Sequence, residues 1–240
     1  MLLGCEQATP SQGYQILQSY DHDSEAYTQG LLFHDGYVFE STGRYGTSSL
    51  RKVNVETGDV VDSVAIDSTY FAEGLALVGS ELVQLTWKAG IAFVYDVETL
   101  ELTNRYNYSG EGWGLCFDGA SLFMSDGSSQ IFERDPQTFE ILSEITILND
   151  GVTLPQLNEL ECVGEFIYAN VYQSNRIVKI EKRSGQVVGE IDGYSLALAA
   201  EKQNSVDAVL NGIAYIEETD VFLVTGKLWK TLFAIRLGDL

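Results

Sequence analysis

The chain has 240 residues, is 45% hydrophobic and 20% charged, and holds 23 glycines but only three prolines. A chain of that length buries a sizeable core as one all-β unit, and 13 tyrosines and 11 phenylalanines among so many glycines favour short strands joined by tight turns. The formal net charge of −21 argues against nucleic acid and anionic membrane surfaces as partners, and no run of about 18 apolar residues is present to form a transmembrane segment.

The N-terminus reads Met1-Leu2-Leu3-Gly4-Cys5. Leu-x-Gly-Cys resembles the end of a bacterial lipoprotein signal, although the charged start and long apolar stretch of such a signal are missing. Residues 1–12 are therefore read as a tether left from that signal, with Cys5 as a candidate lipid anchor, and polar Glu6 to Gly13 suits the role. On this reading the protein is expected to be exported, to the periplasm or cell envelope, with a lipid anchor as one option. The next stretch, Gly13 to Tyr20, reads as a spare strand.

From there the chain repeats itself. Five times a polar or aromatic residue, then a small or acidic one, precede a Leu or Ile that opens a strand: Gln29-Gly30-Leu31, Glu73-Gly74-Leu75, Trp113-Gly114-Leu115, Asn158-Glu159-Leu160 and Asn211-Gly212-Ile213. The heads are 44, 40, 45 and 53 residues apart. After each comes a turn and a second strand, and in most units a polar hairpin such as Glu56-Thr57-Gly58-Asp59 or Lys182-Arg183-Ser184-Gly185 joins a third strand to a fourth. Four short strands every 40 to 45 residues is the period of a β-propeller blade. The longest gap holds a helical insertion near residues 194–208. The last unit has room for three strands only, so the spare N-terminal strand is expected to complete it and close the ring. The predicted fold is all-β, one five-bladed propeller of four-stranded antiparallel blades over residues 13–240.

Up-and-down blades bring the start of each innermost strand and the loop after each second strand to the same face. Gln29, Glu73, Trp113, Asn158 and Asn211 should therefore ring the mouth of the central channel, with Trp87, Asp126, Tyr172 and Lys227 around them. Such a face gathers a carboxylate, a lysine, amides and two indoles, the composition of a small-ligand pocket. Asp126, in Asp126-Gly127, reads first as a turn residue, and so does His34-Asp35-Gly36. His22 and His34 lack the spacing of a metal-ligand pair. Cys116 and Cys162 fall in apolar strands, where a buried free thiol is the default, with a disulfide as the alternative in an exported chain.

The motifs "YTQGL", "FAEGL", "QLTWK", "EGWGL", "MSDGS", "LNELE", "LNGIA" and "VTGKLW", in that order from Tyr27 to about Arg236, resemble those of the plant and bacterial glutaminyl cyclases, the papaya-type glutamine cyclotransferases. The resemblance implies a five-bladed propeller that converts N-terminal glutamine to pyroglutamate and releases ammonia without a catalytic metal. It gives the glutamate matching Glu73 the role of proton shuttle. Lys227 is then the second catalytic candidate, stabilising negative charge or holding Glu73 by an ion pair. Gln29 and Asn158 carry donors and acceptors suited to a carboxamide and an ammonium, while Trp87, Trp113 and Tyr172 would wall the pocket. Where Tyr172 stands the family often has tryptophan, which bears on pocket shape. The expected partners are peptides or proteins with N-terminal Gln, and free glutamine. No cofactor is required for catalysis, and a structural cation is compatible with the reading. Two other readings fit the same face: a non-catalytic peptide- or glycan-binding propeller, and a metal-dependent lactonase-type propeller, whose acidic and amide ligand set is poorly matched here.

Overall fold

A computed structural model describes residues 13–238. The tether expected over residues 1–12, with Cys5, lies outside the described residues. Five four-stranded antiparallel sheets follow one another as the blades of a propeller. Their innermost strands are Thr28–His34, Ala72–Val78, Leu115–Phe117, Leu157–Val163 and Leu210–Ile216 in blades I to V. In blades I to IV the remaining three strands follow in sequence. In blade V the outermost strand is Tyr14–Asp21, which pairs antiparallel with Thr231–Leu237, so the two ends of the chain close the ring as expected.

The burial of each strand follows from its distance to the axis. Second strands such as Tyr37–Thr42, Glu81–Thr86 and Phe166–Val171 are buried along almost their whole length, because neighbouring blades cover both faces. Outer strands such as Val60–Ala65 and Leu102–Asn107 are exposed almost throughout. The third-to-fourth turns share one geometry. The backbone N–H of Gly58, Leu100, Phe139 and Gly185 donates to the carbonyl four residues earlier, and each of the four has a positive φ. In blades II and III that strained position is held by Leu100 and Phe139, both at most 2% exposed, so core burial outweighs the cost of the left-handed conformation.

Near the axis the repeated glycine has a steric cause. A Cβ on Gly30 would lie 2.5 Å from the amide nitrogen of Leu75, and one on Gly74 2.5 Å from that of Leu115. One on Gly114 would collide with the carbonyl of Asn158. Adjacent inner strands meet there with no room for a side chain. Blade IV breaks the pattern with Glu159, whose carboxyl accepts the backbone N–H of Leu31 at 3.3 Å and of Ile213 at 2.8 Å. One side chain thus ties the inner strands of blades IV, I and V.

Two details differ from expectation. Cys116 and Cys162 form a disulfide rather than staying free, because the inner strands of blades III and IV bring their Cα atoms to 5.4 Å. The helical insertion is shorter than residues 194–208: helix covers Tyr194–Ala199 only. Its buried face, Leu196 and Ala197, packs in one cluster with Leu228 and Trp229, the latter fully buried. The insertion therefore braces the turn that carries Lys227. Among the described residues no helix is long and apolar enough to cross a membrane.

Candidate active site

Four of the five heads, all but Trp113, sit in β-bulges. Pairing slips between Thr28 and Gly30, between Ala72 and Leu75, between Leu157 and Leu160, and between Leu210 and Ile213. Each bulge frees the head from the regular alternation and re-aims it toward the axis. Gln29, Glu73 and Asn158, with Trp113 from the segment before the inner strand of blade III, line one cavity of about 210 Å³. Trp87, Tyr172 and Lys227, each the first residue after a second strand, complete its wall. All seven site residues expected from the sequence meet there.

Two other residues expected on this face do not line the cavity. Asn211 is fully buried and donates to the backbone carbonyl of Thr28 at 2.9 Å and to Gln29 Oε1 at 3.4 Å, steadying Gln29 from behind. Asp126 accepts the backbone N–H of Ser128 at 2.9 Å, so it is the turn residue its Asp-Gly context suggested. Tyr27 and Phe71 do line the cavity and were missed. Each stands two residues before a head, Gln29 or Glu73, and that shared offset was the available signal.

Electrostatics centre on a buried chain of three side chains. Lys227 Nζ donates to Gln29 Oε1 at 2.6 Å, and Gln29 Nε2 donates to a carboxyl oxygen of Glu73 at 3.1 Å. None of the three is more than 4% exposed. Of the two roles open to Lys227, a direct ion pair with Glu73 is not formed: Gln29 stands between the lysine and the acid. Burial pushes the Glu73 carboxyl well above its ordinary range, the charge of Lys227 takes back part of that, and the charge of Glu111 adds to it. Burial brings Lys227 down to about 8, against the opposing pull of Glu73 and Asp207. The ammonium is further held over the rings of Tyr27 and Tyr172, 4.7 and 5.1 Å from their centroids.

The aromatic wall is built from two groups of rings. Phe71 meets Tyr27, Trp87 and Tyr45 edge-on at 6.1, 5.6 and 5.4 Å, and Trp113 meets Tyr172 at 5.6 Å. The ring of Trp113 packs on Gly127, where a Cβ would lie 2.6 Å from it. The backbone N–H of Trp87 donates to the carbonyl of Phe71, and that of Gly112 to the carbonyl of Trp87, both at 2.9 Å. Among the described residues no protein hydrogen bond engages the side-chain amide of Asn158, while its backbone carbonyl is held by Ser125 Oγ at 2.7 Å. Asn158 is among the residues that line the cavity.

Fold and site together define a five-bladed propeller with an acid, amide and lysine pocket built from the heads of its inner strands and the loops beside them. A pocket of this kind can bind a short polar segment and move a proton within it. The chain belongs to the glutamine cyclotransferase family, whose sequence profile matches residues 3–237. It is 39% identical over 227 residues to the glutaminyl-peptide cyclotransferase of Arabidopsis thaliana, a match that spans 93% of this chain and 71% of that protein. It is 37% identical to the glutaminyl cyclase of Myxococcus xanthus, whose crystal structure superposes with a TM-score of 0.89 over 95% of this chain and 97% of that one.

Proposed function

We propose that the protein is a glutaminyl-peptide cyclotransferase that acts on peptides or proteins with N-terminal Gln, works without a catalytic metal and uses Glu73 to carry the proton. The observation that carries this reading is the buried Lys227–Gln29–Glu73 chain inside an aromatic cavity. At about 210 Å³ the cavity is smaller than the roughly 300–1,000 Å³ of drug-sized pockets, which suits a single residue at a chain end.

The reaction needs little beyond pose and proton transfer. The α-amine attacks the side-chain carboxamide carbon of the same residue, so nucleophile and electrophile arrive tethered. A new C–N bond closes the ring as the carboxamide C–N bond breaks. Glu73 takes the proton lost by the amine and gives it to the departing nitrogen, which leaves as ammonia. A carboxyl raised by burial holds a proton more readily than an ordinary one, which suits a group that takes and returns one proton. Lys227 and the Asn158 amide face the negative charge that develops on the carboxamide oxygen. These groups cover each charge that forms, so no step calls for a metal. A binding-only propeller would require neither a raised carboxyl nor a buried lysine beside it.

Export is part of the proposal and rests on the Cys116–Cys162 disulfide, a bond that persists in oxidising compartments. The reaction is tested by mass spectrometry of a Gln-initiated peptide with and without a chelator. The expected result is loss of one ammonia at equal rates in both. No loss would overturn the activity, and loss abolished by the chelator would overturn its metal independence.

A further inference from the structure

Glu111 stands outside the Lys227–Gln29–Glu73 chain and acts on Glu73 only through its charge, yet the two indole walls of the cavity converge on it. One oxygen of its carboxylate accepts Nε1–H of Trp87 at 2.7 Å and Nε1–H of Trp113 at 3.1 Å. Its other oxygen lies 3.5 Å from Lys88 Nζ, which also stands 3.9 Å from the centroid of a Trp87 ring. An indole has a single donor and no acceptor, so both wall residues commit their one directional bond to the same atom. Other contacts to these rings, such as Phe71 on Trp87 and Tyr172 and Gly127 on Trp113, are packing contacts. Packing limits where a ring lies but constrains its rotation less tightly than a charged hydrogen bond does. Burial raises the Glu111 carboxyl, but the indole donors and Lys88 outweigh that and keep it below its ordinary range.

We propose that Glu111 is a positioning residue that fixes Trp87 and Trp113 at one mutual angle, so that the slot between them admits a glutaminyl side chain only in its ring-closing pose. The proposal rests on the cyclisation proposed above. A tethered reaction is accelerated by restricting the substrate to a near-attack geometry, so loose walls reduce the productive fraction even when all reacting groups are intact.

Indole NMR separates this role from a merely structural one. The protein has three tryptophans, so three indole N–H resonances are expected. Trp229 is fully buried and donates to the carbonyl of Ala208 at 3.3 Å, which makes it an internal control. In Glu111→Ala the resonances of Trp87 and Trp113 should shift and exchange faster with solvent while that of Trp229 stays. Glu111→Gln keeps an amide oxygen able to accept both N–H groups and should leave all three near their original positions. With a Gln-initiated peptide, kcat/KM should fall about tenfold or more in the Ala variant and stay within about threefold in the Gln variant, as expected for losing or keeping charged hydrogen bonds. Should the Ala variant not fold, Glu111→Asp, one methylene too short to reach both indoles, should show at least one released resonance. Unshifted Trp87 and Trp113 resonances in the variant that folds, or a Gln variant as disturbed as the Ala variant, would overturn the proposal. If the unaltered protein does not cyclise the peptide, the reaction reading fails while the resonances still decide whether Glu111 holds the walls.

Discussion

Glu73 is an acid placed where water cannot solvate it, and that has a thermodynamic signature. Its carboxyl titrates near 4.5 in an unfolded chain and well above that in the fold, with burial as the main cause. The stability it contributes is therefore fully present below about 4.5 and is lost as pH rises through the folded value. Glu73→Gln has no such titration. The melting temperature of the native protein relative to this variant should fall steadily as pH is raised from about 4 to 8. Parallel curves would contradict the assignment. The head residues Gln29, Glu73, Trp113 and Asn158 were legible because the repeat spaces them evenly. The Gln29 relay was not, since local patterning does not record which side chains from different blades bond, and Glu111 was not, since its role depends on Trp87, 24 residues away, meeting the same oxygen as nearby Trp113. Tyr27 and Phe71 went unassigned because an aromatic ahead of a strand looks like core.

At the scale of elements, the junction of blades I and V rests on a buried charged cluster behind the pocket. Glu40, 1% exposed, accepts Thr28 Oγ1 at 2.7 Å and pairs with His22 Nε2 at 3.1 Å and with Arg51, which also reaches Asp23 at 2.7 Å. His22 Nδ1 contacts the carbonyl of Trp229 at 2.7 Å. Burial alone would raise the Glu40 carboxyl, but the charges of Arg51 and His22 outweigh it and hold Glu40 below the carboxylate range. Arg51→Met leaves that charge without its main partner and should cost about 3–5 kcal/mol, read as a lower urea midpoint at unchanged slope. A loss under about 1 kcal/mol would show that the cluster does not hold the junction. The partners of His22 lie 18 and 207 residues away, so its part in this junction could not be read from the sequence. Turn residues, by contrast, are local. His34-Asp35-Gly36 was recognisable as a hairpin, and Asp35 and Gly36 both have the positive φ such a turn uses.

Over the whole molecule, the ring is held by two closures of different kinds. Tyr14–Asp21 completes blade V by pairing with Thr231–Leu237, and Cys116–Cys162 locks blade III to blade IV across 46 residues of chain. The first was visible as a spare strand set against a blade one strand short. The second depended on two inner strands coming together across a blade boundary, which strand patterns do not encode. Replacing both cysteines with serine should lower stability by about 2–4 kcal/mol and leave the fold intact, as measured by chemical denaturation. An unchanged midpoint would mean the blades hold each other without the bond. With the ring closed, the inner strands place a carboxyl from blade II beside an amide from blade I, which a lysine from blade V reaches in turn. The most direct test of what the arrangement does is the rate of ammonia release from a Gln-initiated peptide by native protein and by Glu73→Gln with matching circular dichroism. Steady release by the native protein and a loss of at least about a hundredfold in the variant are expected, the scale of removing a general acid–base. Near-native release by a folded Glu73→Gln would contradict the role of Glu73.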